Sequence, residues 1–434
     1  MKRFRIAVLI LSIGLLTSPS YSDKKETKNS DDLYKQLDLF TKALRFIQTN
    51  YVEEVSDKEL IHGSIRGMLE NLDPHSSFLN PESFDELRID TEGRFGGVGI
   101  EVTLKDGVLT VVTPIEGSPA FEAKIREGDQ IIKIDGVPTR SLVLADAVKK
   151  MRGKKGSQIN LTIKRGGKEP FDVTLIRDII RVQSVRSELL DDRYGYLRIA
   201  AFQEETEKEL EKTLRSLDKK SNQKFKTPIK GLILDLRNNP GGLLDQATKV
   251  VDRFLKEGVI VSTRSRNAPT DKQEAVNDGN EPDYPIVVLI NGGSASASEI
   301  VAGALQDHKR AVLLGTQTFG KGSVQTVFEL GQGAAIKLTV ARYYTPSGRS
   351  IQVDGIKPDL VVSVPESAQA IGLSGGVIRE KDLKGHLEGK RKKAGKKEKG
   401  LEEESVTDFQ KEAAINYLKS LDLLQEKRPS SDHP

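Results

Sequence analysis

The residues best suited to chemistry lie between Tyr284 and Gln325. The run Asn291-Gly292-Gly293-Ser294-Ala295-Ser296-Ala297-Ser298 offers three hydroxyls, and Lys321 stands 25 residues beyond Ser296, between Gly320 and Gly322. A serine on a tight turn that opens a helix is presented to a substrate beside unpaired backbone N–H groups, which can stabilise a developing oxyanion. A lysine can take the serine proton only as the neutral amine. Free lysine titrates near ~10.4 and a general base works best near ~7 to 8, so burial must lower it by roughly 3, about 4 kcal/mol. The flanking glycines let other backbone close over Lys321, and Phe319 and Val324 offer apolar cover. Ser298 directly precedes an apolar helical run and suits an N-cap, which would occupy its hydroxyl. Ser294 lies earlier in the turn, and residue types alone leave the choice among the three open.

The elements that must position these groups follow from periodicity. Pro285–Ile290 is a short β-branched run bounded by turn residues, read as a buried strand, and Glu299–Asp307 has Ile300, Val301, Ala304 and Leu305 on one helical face. Ala311–Leu314 reads as a second strand leading to the lysine loop. Upstream, the strand Lys230–Leu236 exits through Arg237-Asn238-Asn239-Pro240-Gly241-Gly242 into a helix with Leu243, Leu244, Ala247, Val250, Val251, Phe254 and Leu255 on one face. Strands alternating with helices from Tyr194 onward give an α/β layer architecture. Gly241 and Gly242 can bring backbone amides close to a ligand, and nothing in the sequence separates the two. Gly315 to Lys321 also has seven of the eight positions of a phosphate-binding loop. The eighth, however, is Gly322 where a Ser or Thr is required, and the residues after it are β-rich where that motif opens a helix.

The segment Gly293-Ser-Ala-Ser-Ala-Ser-Glu299, followed by Phe319-Gly-Lys-Gly-Ser-Val-Gln325, resembles the carboxyl-terminal processing proteases, tail-specific serine peptidases of family S41 that carry a PDZ domain. The resemblance implies a serine endopeptidase with Ser296 as nucleophile, Lys321 as base and Gln325 orienting the amine. It further implies an oxyanion hole from the N–H groups of Ala297 and of a glycine in the Asn-Pro-Gly-Gly turn, for which Gly242 is favoured. Leu72-Asp73-Pro74-His75-Ser76-Ser77 resembles the family's stretch ahead of the PDZ domain, and beside Asp73-Pro74 His75 reads as a turn or capping residue.

Phe95 to Asp178 looks like the PDZ domain. Gly96-Gly97-Val98-Gly99-Ile100 resembles its carboxylate-binding loop, with Gly97, Val98, Gly99 and Ile100 as peptide-binding residues. Glu101-Val102-Thr103 would be the edge that pairs with an extended peptide. Ile125 to Gly136 matches the domain's internal signature, Leu142 to Met151 reads as the groove helix, and Arg152 aligns with an arginine through which some relatives couple this domain to the active site. The expected order is a signal peptide (1–22), a helical segment (23–88), the PDZ domain (89–180), an α/β protease core of the ClpP/crotonase-like type (181–365) and a charged tail with a terminal helix (366–434). The fold class is thus multidomain, α/β and β.

A basic start, Met1 to Arg5, an apolar run from Ile6 to Leu16 and small residues at Ser20 and Ser22 have the form of a secretory signal peptide, so the protein is expected outside the cytoplasm, in the periplasm or on the outer face of the inner membrane. It would be membrane-associated only if that segment were retained. The chain has no cysteine, which removes thiol nucleophiles, thiolate metal sites and disulfides. The five histidines form no His-Glu-x-x-His pattern, so no metal or other cofactor is expected. Net charge is +4, and Glu380 to Lys399 alone carries nine Lys/Arg against four Asp/Glu, so the positive balance belongs to the tail, read as solvated. No aromatics interleave these lysines, and nucleic acid is not an expected partner. Expected partners are protein substrates with free, apolar C-termini, with room for an adaptor and for a homo-oligomer. The competing reading is a PDZ scaffold on a catalytically silent α/β domain.

Overall fold

The computed structural model describes residues 24–191, 193–363, 379–387 and 408–426. The expected signal peptide and most of the lysine-rich run lie outside the described residues. The chain divides into two compact units, residues 1–67 and 68–434. The first is helical: α1 (Lys24–Asn50) and the larger part of α2 (Asp57–Glu70).

The second unit holds everything else. It begins with β1 (Ser77–Leu79), a strand inside the stretch expected to be helical, and α3 (Pro81–Glu92). Asn80 caps α3 by accepting the Ser83 N–H at 2.8 Å, Pro81 occupies the first turn where no N–H is needed, and Gly93 ends the helix at φ 67°. A two-stranded ribbon follows, β2 (Arg94–Gly97) pairing with β9 (Asp178–Arg181), and between its strands the PDZ domain is inserted. That domain is a sheet of β3 (Ile100–Lys105), β4 (Val108–Pro114), β5 (Gln130–Ile134), β7 (Gln158–Lys164) and β8 (Phe171–Ile176) in the order 3-4-5-7-8, with β6 (Val137–Pro138) beside β5. The short α4 (Pro119–Glu122) and the groove helix α5 (Leu144–Met151) complete it. Alternate side chains of β7, Ile159, Leu161 and Ile163, point inward onto Ile131, Ile134, Ala147 and Met151. Asp129, buried in the 125–136 signature, is held by Arg165 through two bonds of 2.7 Å and accepts the Arg126 N–H at 2.9 Å. β3 lies at the free edge of this sheet, as the sequence reading required.

The α/β core is a six-stranded sheet in the order β10 (Val185–Leu190), β11 (Tyr194–Ile199), β12 (Gly231–Asp235), β15 (Ile286–Ile290), β16 (Ala311–Gly315) and β19 (Leu360–Val361). All neighbours are parallel except β10 with β11. On one face Leu232, Leu234, Ile286, Val288 and Ile290 meet α6 (Thr206–Phe225), α7 (Leu244–Asp252) and α8 (Ala297–Asp307). Helix α8 is buried all round from Ala297 to Leu305, not only on the face of residues 300, 301, 304 and 305. On the other face Ile233, Val287, Leu289 and Leu314 meet Ala414 and Leu418 of α9 (Phe409–Glu426). That helix, which the sequence reading set apart in a charged tail, is therefore a layer of the core. Lys230 to Asp422 and Arg237 to Asp408 tie it down.

Residues 379–387 also depart from the solvated tail expected of them, because Glu380 is fully buried. A second sheet has β18 (Ala334–Tyr344) at its centre. β17 (Ser323–Gly331) pairs along it, β1 and β13 (Gly258–Ser265) pair with it elsewhere, and β14 (Asp271–Ala275) flanks β13. The lysine loop thus opens a strand, not a helix, which removes the phosphate-loop reading.

Candidate active site

Three loops leave the carboxyl ends of adjacent parallel strands: 236–242 after β12, 291–296 after β15 and 316–322 after β16. In an open α/β sheet this is where loops from neighbouring strands converge on a ligand. The strand order thus brings the glycine turn, the serine turn and the lysine loop into contact.

The serine turn is pinned by its own hydroxyls. Ser294 Oγ donates to the Leu236 carbonyl at 2.8 Å and accepts the Asn291 N–H at 3.0 Å, while Ser298 Oγ donates to the Asn239 carbonyl at 2.9 Å. Ser298 is not the N-cap that the sequence suggested: α8 starts at Ala297, so Ser296 stands at the cap and Ser298 within the first turn. Among the described residues the Ser296 hydroxyl donates no hydrogen bond, and Ser296 holds φ 54° and ψ −113°, a strained conformation for a side-chain-bearing residue.

That strain is restrained by Glu299. Its fully buried carboxylate accepts four donors: the Ser296 N–H (2.8 Å) and Lys321 N–H (2.9 Å) on Oε2, and the Gly320 N–H (2.8 Å) and Thr318 hydroxyl on Oε1. One carboxylate oxygen therefore joins the main chain of the elbow to the main chain at the lysine. Burial pushes the Glu299 carboxyl up to about 7, outweighing the four donors that pull it down. Sequence reading passed over this role, although Ser296-x-x-Glu299 is the pattern in which a glutamate reaches back to the N–H of a helix cap.

Lys321 is largely shielded. Burial, and then the nearby Lys337 charge, hold its amine below the ordinary lysine range, against the carboxylates of Glu380, Glu299 and Asp73. The enclosure depends on Gly322, where an added Cβ would lie 2.4 Å from the Gln352 nitrogen. Gln325 starts close by on β17, but its amide nitrogen donates to Ser323 Oγ at 2.8 Å and Thr339 Oγ1 at 3.3 Å, not to the lysine. His75 occupies the expected turn, its N–H on Asp73 Oδ1 at 2.8 Å, but its ring also meets Glu380 at 2.7 Å. No sequence signal links residues 305 apart.

The glycine turn abuts the elbow: a Cβ on Gly241, at φ 103°, would stand 2.9 Å from Ser296 Cβ and 3.0 Å from the Ala297 nitrogen. The Gly241 N–H is already spent on Asn239 Oδ1 at 2.9 Å. Among the described residues the N–H groups of Gly242 and Ala297 have no acceptor. Asn239, buried and given no role of its own in the sequence reading, organises the turn: its amide donates to the Ile199 carbonyl, and its own carbonyl receives the Ala295 N–H and the Ser298 hydroxyl.

In the PDZ domain Gly96 and Gly97 belong to β2, paired with Ile179 and Asp178, so the loop proper is narrower than expected. The N–H groups of Val98 and Gly99 have no acceptor among the described residues, and Ile100 follows at the start of the edge strand. Ile100, Val102, Leu144 and Val148 are partly buried against the domain core. Arg152 lies just beyond α5 with its guanidinium 4.9 Å from the Phe95 ring centre on the ribbon, its buried Nε without a hydrogen-bond partner among the described residues.

Residues 193–362 match the model of peptidase family S41, residues 96–188 match a PDZ domain, and residues 15–83 match the N-terminal domain of the activating protease CtpB. The carboxy-terminal-processing protease of Bartonella bacilliformis is 46% identical over 89% of this chain and 88% of its own length. The carboxy-terminal processing protease CtpA of Bacillus subtilis is 37% identical, over 83% of this chain and 75% of its own. Among solved structures, a photosystem II D1 C-terminal processing protease is 31% identical with a TM-score of 0.45, covering 75% of this chain and 92% of that one.

Proposed function

The chain belongs to peptidase family S41, among its carboxy-terminal processing proteases, and on that premise we propose that it is an exported serine endopeptidase working through a Ser296–Lys321 dyad. One observation carries the reading: of three serines on the turn, Ser296 alone has a hydroxyl that donates to no described group, and Glu299 ties its elbow to the loop of a shielded lysine whose amine burial holds below its ordinary range. The neutral Lys321 amine takes the Ser296 proton as Oγ attacks the scissile carbonyl. The N–H groups of Ala297 and Gly242 receive the oxyanion, and the lysine ammonium returns the proton to the departing amine. Water, deprotonated by the same amine, then cleaves the acyl-enzyme and regenerates Ser296. The Gln325 carbonyl oxygen is available to orient the amine.

Capture of a free C-terminus by the Val98 and Gly99 N–H groups, with the peptide laid along β3 against Leu144 and Val148, completes the proposal. Export rests on the residue pattern of positions 1–22. The chemistry is tested by S296A and K321A on an unstructured protein with an apolar tail. Both are expected to abolish turnover, and undiminished turnover in either rejects the dyad. Amidating the substrate's C-terminus should raise KM strongly, and an unchanged rate refutes carboxylate recognition.

A further inference from the structure

Residues 379–387 return to the lysine loop from beyond the core sheet, and the fully buried Glu380 is their point of attachment. Its Oε1 accepts from Gln352 Nε2 at 2.8 Å, and its Oε2 meets His75 Nε2 at 2.7 Å. Gln352, also fully buried, accepts the Gly322 N–H on Oε1 at 2.9 Å and donates a second bond to the Leu387 carbonyl at 3.1 Å. On the far side, the His75 N–H and the Thr339 hydroxyl both donate to Asp73 Oδ1, and Thr339 Oγ1 accepts from Gln325. A closed path of bonds therefore leaves the chain at Gly322, runs through Gln352, Glu380, His75, Asp73 and Thr339, and re-enters it at Gln325. Both ends of the stretch that follows Lys321 are gripped by it. A carboxylate this deep, drawn from a segment outside the core sheet, is costly unless its partners are fixed, and here both oxygens have one.

We propose that Glu380 is a positioning residue for Lys321: with Gln352 and His75 it anchors the loop that carries the amine. This rests on the Ser–Lys reading. The charges facing Lys321 are Lys337 from β18, Glu299 from α8, Asp73 from the turn before β1, and Glu380. Glu380 itself faces His75, while the neighbouring Arg379 points to Gln317. Of the three carboxylates acting on Lys321, Glu380 has the largest effect, and it favours the protonated amine, against burial and Lys337. Removing its charge should therefore make the free amine available at lower pH.

The test compares the full-length wild type, E380Q, Q352A and K321A by kcat and KM across pH, with thermal unfolding of each. E380Q is expected to fold and to move the acid limb of the kcat profile to lower pH by about 0.5 to 1 unit. Q352A cuts the link to Gly322 without touching the charge, and is expected to lower kcat about tenfold, with KM within twofold and the acid limb unmoved. An E380Q profile superposing on the wild type overturns the inference. If E380Q fails to fold, a wild-type kcat in Q352A overturns it instead. Turnover persisting in K321A would sink the dyad itself, a distinct outcome.

Discussion

Replacing Glu299 with glutamine separates what the carboxylate does for the fold from what it does for the elbow. Its folded carboxyl is raised to about 7 from an ordinary 4.5, so between those values the native state holds a proton that the unfolded chain has released. Stability must therefore fall as pH rises through that window, by about 3 kcal/mol for this one group, and level off above it. E299Q cannot titrate and should lack this slope. The amide also leaves one donor unmatched. With its NH2 turned toward Thr318, whose hydroxyl can rotate to accept, the Gly320 N–H loses its acceptor at a cost of about 1–3 kcal/mol. The bonds from Ser296 and Lys321 lose their charge assistance, about 1 kcal/mol each.

Near pH 8 this loss of about 3–5 kcal/mol is largely offset by no longer burying a charge, so the variant should melt within a few degrees of the wild type. Near pH 5, where the wild-type carboxyl is already protonated, that offset is gone and E299Q should melt clearly lower. Catalysis has no such offset: the elbow, held at φ 54° against about 1–3 kcal/mol of strain, relaxes, and kcat should drop about 10- to 100-fold. Melting curves at pH 5 and pH 8 and initial rates at pH 8 decide the matter. A wild-type kcat, or equal pH slopes in the two proteins, refutes the clamp.

Ser294→Ala removes a hydroxyl that serves the Leu236 carbonyl and the Asn291 N–H, and should destabilise by about 1–3 kcal/mol while leaving measurable turnover, in contrast to S296A, which should be inactive with a nearly unchanged melting temperature. Because the folded Lys321 amine lies below 10.5, the protein should lose stability as pH falls from that value to the folded one, and kcat should fall through the lower end of the same interval as the base becomes protonated. Parallel titrations of rate and melting temperature check this. Leu418→Ala opens a void between α9 and the sheet at Gly231 and should cost about 2–5 kcal/mol, read as a lower denaturation midpoint. An unchanged midpoint would mean that α9 is not a structural layer.

The residue order by itself pointed to the alternation of strands and helices in the core and to the candidate groups in 291–298 and 320–325, and the PDZ resemblance pointed to a sheet edge at Glu101–Thr103. These are local matters, written in periodicities of two and 3.6 and in motifs a few residues long. It did not separate the hydroxyls of Ser294, Ser296 and Ser298, or the N–H groups of Gly241 and Gly242, because what distinguishes them in the fold is which polar groups are already engaged. The carbonyls of Leu236 and Asn239, brought beside the serine turn by strand order, occupy two of the hydroxyls, while the Asn239 side chain, two residues away in the same turn, occupies the Gly241 N–H. Tertiary structure alone also supplied the Glu299 clamp and the return of α9 to the sheet. It likewise supplied the meeting of His75 with Glu380, for a buried charge is settled by partners that pairing and packing bring in from anywhere along the chain.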